Sequence, residues 1–433
     1  MKYLKLALAL ITSLLVWGGL VFAALDRGWG HSPFTRTDDI AAFTLAARDM
    51  AEKHYAGNLS FVLIEHGRTV ADFHLSKGKR IDSQSVFQVA SLGKWITAWG
   101  IMTLVDDGKI DLDAPVSRYL SRWQLPASQF DASGVTVRRL LSHTAGLTDS
   151  LGYDGFDTAA DRQTLEASLT KASDASPGKD GKALLGLQPG SAWNYSGASY
   201  TLLQLLIEEV SGTGFPQFMH DRVFAPLGMN RTTFDHSEAL ELGLAQNFSP
   251  DGNTEPFRWY TAIAATSLFT SSEDLAKFLA KQGPQSTNTV LTRQTMALIK
   301  EPHASDMGAE IWGLGTMLYA SNNSGDFIIG HDGSNEPAIN TSARLDPATG
   351  DGIVVLSTGN PMLATQLASE WVFWRTGNVD ILTFASRLPT ALAVFAGGAL
   401  VILIGAPLAI WIRSRSPFRP ARLERERRVK GIR

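Results

Sequence analysis

The four residues Ser91-Leu92-Gly93-Lys94 place a hydroxyl and an amine three positions apart. Side chains at this spacing lie on one face of a helix, so the two groups would be within reach of each other. Serine alone is a poor nucleophile, but a lysine can take its proton if burial and a nearby cation lower the lysine pKa. The spacing therefore predicts an activated serine or, as the alternative, a chance match at a surface turn.

The neighbouring residues favour a buried position for this motif. Residues 86–99 are mostly apolar, and Trp95 and Trp99 recur at helical spacing. This pattern is typical of a helix that packs in a core, and both tryptophans are expected to be core residues rather than ligand contacts.

Composition limits the chemistry that the chain can perform. The 433 residues carry a formal net charge of -3, which argues against nucleic acid as a partner. There is no cysteine, so disulfides, thiol catalysis and iron–sulfur clusters are excluded. The nine histidines lack the paired spacing of a helix-borne metal site. We therefore expect no metal and no cofactor.

Both ends of the chain are apolar enough to interact with a membrane. Residues 6–25 carry no charge and follow Lys2 and Lys5, so residues 1–25 form either a cleaved signal peptide or a signal-anchor helix. Residues 388–412 are also uncharged and predict a transmembrane helix.

The charges at the C-terminus indicate an orientation. Residues 413–433 contain nine lysines and arginines against Glu424 and Glu426, which predicts a cytoplasmic tail. The segment between the two apolar stretches would then lie on the periplasmic or extracellular side of a bacterial inner membrane. Its expected partners are the lipid bilayer and small-molecule or peptide substrates from the envelope or the exterior.

The middle of the chain predicts an α+β fold. After a linker at residues 26–37, the domain at residues 38–375 begins with an Asp-capped helix and a hairpin that turns at His66-Gly67. The Ser91 helix ends at Gly108, and a second helix ends near Gly212. Three antiparallel strands follow Phe327, and residues 151–182 form a loop-rich insertion. We expect an antiparallel sheet flanked by helices, with a mostly helical subdomain.

Six blocks in this domain carry a family resemblance: "FQVASLGKWITA", "LVDDGKIDLDAPVSRYL", "LLSHTAGL", "LQPGSAWNYSGASYTLL", "PLGMNRTTF" and "GHDG". In this order they resemble the serine β-lactamase and D-alanyl-D-alanine carboxypeptidase superfamily, and most of all its class C-like branch with related esterases and peptidases. The resemblance spans about residues 38–375 and implies a β-lactamase/transpeptidase-like fold.

The resemblance also implies roles for particular residues. Ser91 matches the acylated nucleophile and Lys94 the proton acceptor or relay. Tyr195 matches a phenol that shuttles a proton to the leaving group, with a pKa lowered by ammonium neighbours. The N–H of Ser91, at a helix start, matches an oxyanion donor. His143 is expected to support the site structurally rather than to act as a base.

Two motifs depart from the pattern of the family. Gly197 stands where the family has an asparagine that touches substrate, and His331-Asp332-Gly333 stands where β-lactamases have Lys-Thr-Gly. We expect Gly197, His331 and Gly333 to line the substrate site, with His331 as a weaker, pH-dependent cation. These departures put substrate choice in doubt more than the chemistry.

Two functions from different classes remain open at this point. The first is a membrane-anchored serine hydrolase that acts on an ester, amide, peptide or β-lactam carbonyl through an acyl-enzyme on Ser91. The second is a catalytically weak or inactive penicillin-binding-like module that binds envelope peptides or a partner. The sequence does not indicate the oligomeric state.

Overall fold

The computed structural model describes residues 2–148 and 153–415. The helices are α1 (Lys2–Asp26), α2 (Ile40–His54), α3 (Gly93–Asp106), α4 (Val137–Leu141), α5 (Leu165–Thr170), α6 (Gly197–Ser211), α7 (Phe215–Met219), α8 (Ala225–Leu227), α9 (His236–Glu241), α10 (Ile263–Thr266), α11 (Ser272–Ala280), α12 (Arg293–Lys300), α13 (Leu363–Thr376) and α14 (Ile381–Arg415). The strands are β1 (Asn58–Glu65), β2 (Arg68–Ser76), β3 (Val86–Gln88), β4 (Asn247–Phe248), β5 (Thr254–Glu255), β6 (Phe269–Ser271), β7 (Ala304–Asp306), β8 (Ala309–Trp312), β9 (Met317–Ser321), β10 (Phe327–Asn335), β11 (Ile339–Asp346) and β12 (Asp351–Thr358).

One antiparallel sheet organises residues 31–383, which form a compact unit. In the described part of the chain its eight strands run in the order β2-β1-β12-β11-β10-β9-β8-β7. Phe61 of β1 pairs with Val355 of β12, so the first and last parts of this unit meet in the middle of the sheet. The predicted α+β class with an antiparallel sheet is confirmed.

The sheet is covered by helices on both faces. Side chains alternate along β12: Ile353 and Val355 pack with α2 and α13, whereas Val354 and Leu356 belong to the larger core with α3 and α6. A strand that is buried on both faces has a continuous run of apolar residues, and residues 353–356 form such a run.

Local signals in the sequence set several element ends where we expected them. His66 and Gly67 have φ of 49° and 74°, which is the backbone of a type I′ hairpin turn between β1 and β2. The Asp39 carboxylate accepts the Ala41 N–H at 2.9 Å and so caps α2. Gly212 ends α6 in the left-handed region, at φ 68°.

Other elements were not predicted. Strands β7, β8 and β9 extend the sheet, and β3 pairs with β6 in a separate ladder. These strands have three to five residues, which is too short for an alternating pattern to stand out. The polar segment at 151–182 contains the short helix α5 as well as loops, and residues 151 and 152 lie outside the described part of the chain.

The helix that follows Ser91 lies in the core. Trp95 and Trp99 are fully buried, and both contact the ring of Phe278 in α11, with centroid distances of 5.0 and 4.9 Å. The expectation that these tryptophans are core residues is confirmed. Aromatic packing of this kind fixes the position of α3 relative to α11.

The terminal segments contribute two long apolar helices. Residues 4–26 and 381–405 are each long and apolar enough to cross a bilayer, by length and composition only. Helix α14 begins at Ile381, upstream of the apolar segment predicted from residue 388, because the Asp380 carboxylate accepts the Thr383 N–H at 2.9 Å. Of the basic tail, residues 416–433 lie outside the described residues.

Candidate active site

Ser91 lies in a tight turn between β3 and α3. Ala90, Ser91 and Leu92 form one turn of 3₁₀ helix that leads directly into α3. Ala90 is fully buried and has φ of 51°, a left-handed conformation that costs a non-glycine residue free energy. Strained backbone of this kind persists only where the surrounding structure holds it in place.

Three other segments hold this turn. The Val89 N–H donates to the Leu268 carbonyl at 2.9 Å. The Thr341 hydroxyl of β11 donates to the Val89 carbonyl at 2.8 Å. A Cβ atom added to Gly333 of β10 would lie 2.1 Å from the Val89 oxygen and 3.1 Å from the Leu92 nitrogen. Gly333 therefore allows β10 to lie directly against the turn that carries Ser91.

The Lys94 amine lies within hydrogen-bond distance of the Ser91 hydroxyl. Its side chain is only 2% exposed, and Nζ lies 2.9 Å from Ser91 Oγ and 2.6 Å from the Ala265 carbonyl oxygen. The Ala265 carbonyl belongs to α10, whose Ala264 N–H donates to the Gln204 side chain of α6 at 3.1 Å. Helix α10 is thus fixed between α3 and α6, and it orients the lysine.

Tyr195 contacts both Ser91 and Lys94. Lys94 Nζ is 5.1 Å from the centroid of the Tyr195 ring, and the Ser91 hydroxyl makes a hydrogen bond with the Tyr195 hydroxyl. Burial raises the pKa of the Tyr195 hydroxyl, and the hydrogen bond with Ser91 offsets only part of this rise. The expectation of a lowered Tyr195 pKa is therefore wrong, because desolvation of the phenol dominates.

The His143 ring packs against the Tyr195 ring and binds the backbone of the next residue. Its Nδ1 accepts the Ser196 N–H at 3.1 Å, and its ring lies 4.3 Å from the Tyr195 ring and 4.9 Å from the Trp312 ring. Burial, and then the charge of Lys94, lower the pKa of His143 well below its ordinary value. A histidine in this state is neutral and contributes a rigid aromatic surface.

His331 is also neutral. Its side chain is 1% exposed, and Nδ1 lies 2.6 Å from the Asp332 carbonyl oxygen, which places the proton on Nδ1. Burial, and then the charge of Lys94, lower the pKa of His331 to about 3. The expectation that His331 serves as a cation is wrong near neutral pH, because a buried imidazole beside a lysine does not take up a second proton.

The space beside Gly197 is occupied by an aromatic ring. A Cβ atom added to Gly197, the first residue of α6, would lie 2.7 Å from Cε2 of Tyr153. The Tyr153 hydroxyl lies 3.1 Å from the Thr201 hydroxyl, one turn further along α6. The structure therefore puts the edge of Tyr153 where a side chain at position 197 would begin.

The sequence motifs did not indicate several of these neighbours. The Ala265 carbonyl is a backbone group and leaves no mark in the sequence. Tyr153 lies in a polar segment without a motif, and Tyr200, whose ring centroid is 5.7 Å from Lys94 Nζ, reads as one apolar position of α6. Only its place five residues after Tyr195 could have drawn attention to Tyr200. Within residues 2–148 and 153–415, no group of three or more His, Asp or Glu side chains could hold a metal ion.

A match to a protein-family model identifies the class of this protein. The Beta-lactamase family model matches residues 44–370, which is most of the chain. The chain belongs to this family, which lies in the superfamily of serine hydrolases that contains the β-lactamases and the penicillin-binding proteins. The resemblance found in the six sequence blocks is confirmed.

The curated relatives include proteins that are 22–30% identical to the chain over the aligned segments. Penicillin-binding protein 4* of Bacillus subtilis (strain 168) is 30% identical over 176 residues, which are 40% of this chain and 35% of that protein. Penicillin-binding protein 4 of Amycolatopsis lactamdurans is 26% identical over 74% of this chain and 84% of its own length. Esterase EstB of Burkholderia gladioli is 29% identical over 47% of this chain and 50% of the esterase.

A solved structure gives the same fold. The octameric penicillin-binding protein homologue from Pyrococcus abyssi superposes with a TM-score of 0.65 and 23% identity, over 77% of this chain and 76% of that chain. This likeness establishes the β-lactamase/transpeptidase fold of the sheet and its helices.

The contact between Gly197 and Tyr153 makes a prediction about stability. We expect Gly197→Asn to destabilise the fold by about 1–3 kcal/mol, because the new side chain overlaps the Tyr153 ring. Combining it with Tyr153→Ala should recover part of the loss, with a favourable coupling of about 0.5–3 kcal/mol in a double-mutant cycle. Urea unfolding of the four proteins measures the cycle.

The control for this cycle is Gly214→Asn, at an exposed glycine with φ -58° and open space around its Cβ position. It should change the free energy of unfolding by less than about 0.5 kcal/mol. Strictly additive effects of Gly197→Asn and Tyr153→Ala would contradict the overlap.

The buried histidines predict a loss of stability in acid. Below pH 6.5 the unfolded chain protonates His331, whereas the folded chain, with a pKa of about 3, does not. Stability due to this group is complete above pH 6.5 and falls by up to about 1.4 kcal/mol per pH unit between pH 6.5 and 3.

The slope of the unfolding free energy against pH measures the number of protons that the chain takes up on unfolding. Replacing His331 with asparagine should therefore lower this number by up to about one between pH 7 and 5. Identical slopes in the wild type and in His331→Asn would show that His331 does not stay neutral in the fold.

Proposed function

We propose that this serine hydrolase forms an acyl-enzyme on Ser91 and that Lys94 and Tyr195 move the protons of the reaction. The observation that carries the proposal is the 2.9 Å distance between Lys94 Nζ and Ser91 Oγ inside a site where the lysine is almost fully buried. A short, fixed distance between a nucleophile and its base is the geometric requirement for this chemistry.

In acylation, Ser91 Oγ attacks the carbonyl carbon of the substrate and its proton passes to Lys94, which we propose reacts in its unprotonated form. The pKa values of His143 and His331 are lowered first by burial, an effect that does not depend on the charge of Lys94. One N–H of the Lys94 amine is oriented by the Ala265 carbonyl, and Nζ lies 2.9 Å from Ser91 Oγ. The tetrahedral oxyanion needs N–H donors, and the Ser91 N–H lies in the first turn before α3, where backbone donors are available for this purpose.

Tyr195 acts on the leaving group. Because burial raises its pKa, the phenol keeps its proton near neutral pH and is a poor acceptor for the Ser91 proton. It is instead a suitable donor: as the carbonyl re-forms and the bond to the leaving group breaks, the Tyr195 hydroxyl protonates the departing oxygen or nitrogen. The proton held by Lys94 restores the phenol, and water then hydrolyses the ester on Ser91.

The surroundings of the site favour neutral acyl donors. His331, at the position of a lysine in β-lactamases, is uncharged, and Gly197 provides no amide group to a substrate. A substrate carboxylate would therefore find no cation at His331. We propose esters and amides as the preferred substrates, in line with the relationship to esterase EstB, and expect penicillins to react more slowly.

We also propose that the chain is anchored in a bacterial inner membrane. Helix α1 and helix α14 each contain a segment long enough to cross the bilayer. The basic residues at 413–433 favour a cytoplasmic tail, which puts the catalytic domain at residues 38–375 on the periplasmic or extracellular side. In this arrangement the substrates come from the envelope or from outside the cell.

The test of the proposed chemistry is intact-mass analysis of the full chain with a fluorophosphonate, a penicillin and a p-nitrophenyl ester. We expect a fluorophosphonate adduct on the Ser91 peptide and turnover of the ester. Ser91→Ala should form no adduct and should lower ester turnover by about 10³-fold or more.

Ser133→Ala, at an exposed serine in a helical turn, is the matched control and should behave as wild type. A folded wild-type chain that forms no adduct with any of the three probes would contradict the hydrolase mechanism. That outcome would favour the alternative of a binding module for envelope peptides.

The topology has its own test, which the absence of cysteine makes simple. Single cysteines at Ser133, in the domain, and at Ser416, in the tail, can each be labelled in spheroplasts with a membrane-impermeant maleimide. We expect the cysteine at 133 to react in intact spheroplasts and the cysteine at 416 to react only after lysis. The opposite pattern would reverse the orientation.

A further inference from the structure

The strand that carries His331 and Gly333 has a second buried polar surface. Because side chains alternate along β10, Asp332 projects from the face opposite to its two neighbours. Its Oδ1 accepts hydrogen bonds from the Tyr319 hydroxyl at 2.7 Å and the Ser342 hydroxyl at 2.6 Å. Its Oδ2 accepts one from the Thr365 hydroxyl of α13 at 2.7 Å. The Asp332 carboxylate is therefore tightly oriented from three directions.

Arg344 of β11 lies beside this carboxylate with no exposed surface. Its Nη1 donates to Asp380 Oδ2 at 2.7 Å, whereas its Nη2 lies 3.5 Å from Asp332 Oδ2, which is an ion pair without a hydrogen bond. The guanidinium carbon is 4.0 Å from the centroid of the Tyr319 ring. One cation therefore joins two carboxylates that are distant in the sequence, in an environment where an uncompensated charge would be costly.

The partner at the other end is Asp380, directly before α14. Burial by itself would raise the pKa of this carboxyl, but the charge of Arg344 holds the pKa below its ordinary value. Asp380 also accepts the Thr383 N–H at 2.9 Å. The guanidinium thus links β10 to the residue that caps the first turn of the C-terminal helix.

The backbone of Asp332 connects this network to the candidate active site. Its carbonyl oxygen accepts the Nδ1–H of His331 at 2.6 Å. The next residue, Gly333, lies against the turn of Val89 and Leu92 that carries Ser91. A rotation of Asp332 would therefore move both the imidazole and the strand that supports the nucleophile.

We propose that Arg344 is a positioning residue for acyl transfer: by spanning Asp332 and Asp380, its guanidinium holds β10 in the register that supports His331 and the Ser91 turn. This inference rests on the proposed function of Ser91. Arg344 itself does not touch the reacting atoms. Its planar fork can reach two carboxylates at once, which a lysine ammonium in the same place cannot do with the same geometry.

The test compares Arg344→Lys and Arg344→Met with wild type in the full chain. The fraction of sites labelled by the fluorophosphonate is counted first, so that kcat for the p-nitrophenyl ester is expressed per competent site. We expect both variants to lose at least 10-fold in kcat per labelled site, with KM changed by less than 3-fold. Arg344→Lys keeps the buried positive charge and should unfold at a temperature closer to that of wild type than Arg344→Met does.

The matched control is Arg375→Met. Arg375 of α13 also connects a helix to the sheet through a buried carboxylate, that of Asp351 at 2.5 Å. Its ion pairs are with Asp38, Glu65 and Asp351, which lie outside β10. Its kcat per labelled site should stay within 2-fold of wild type, whatever the change in melting temperature.

A purely structural role for Arg344 predicts a different result. Melting temperatures would fall while kcat per labelled site stayed within 2-fold of wild type in both variants, and this would overturn the proposal. A kcat of Arg344→Lys equal to that of wild type would also overturn it. A positive charge would then be enough to position β10, without a guanidinium that spans the two carboxylates. If the wild type itself carries no label and turns over no ester, the proposed function fails, and this inference fails with it. The first two results would leave the proposed function intact.

Discussion

The contact between Lys94 Nζ and Ser91 Oγ is the interaction on which the site depends, and it requires a lysine to lie almost entirely out of water. A buried amine must have its hydrogen-bonding groups satisfied, and the Ala265 carbonyl takes one of them. That carbonyl is in place only because α10 is fixed between α3 and α6. The surrounding core, built on the tryptophans of α3, therefore keeps the serine and the lysine in contact.

The same site combines several groups that stay uncharged. His143 and His331 remain neutral, since burial and the nearby lysine both oppose protonation, and Tyr195 keeps its phenolic proton. A site of this kind has donors and acceptors but few fixed charges. Such surroundings suit the proposed transfer of a proton between Ser91, Lys94 and Tyr195 and the proposed binding of an uncharged ester or amide.

Much of the fold followed from local signals in the sequence, whereas much of the site did not. The Asp39 cap, the His66-Gly67 turn and the Gly212 stop each follow from the conformational preference of one or two residues. The spacing of Ser91 and Lys94 could be interpreted in the same way. The neutral state of His331, the Tyr153 ring beside Gly197 and the link from Arg344 to Asp380 depend on packing between segments that are far apart in the chain. The type of a residue does not reveal its burial, and so it does not reveal its charge state either.

The most direct test of this account is the rate at which the fluorophosphonate reacts with Ser91 when Lys94 is replaced by methionine. Methionine keeps much of the apolar stem but cannot accept a proton. If Lys94 is the base, the second-order rate constant should fall by about 100-fold or more, while Lys109→Met, at an exposed lysine, reacts like wild type. A rate constant for folded Lys94→Met within about 3-fold of wild type would show that Ser91 is activated without the lysine, and it would contradict the account.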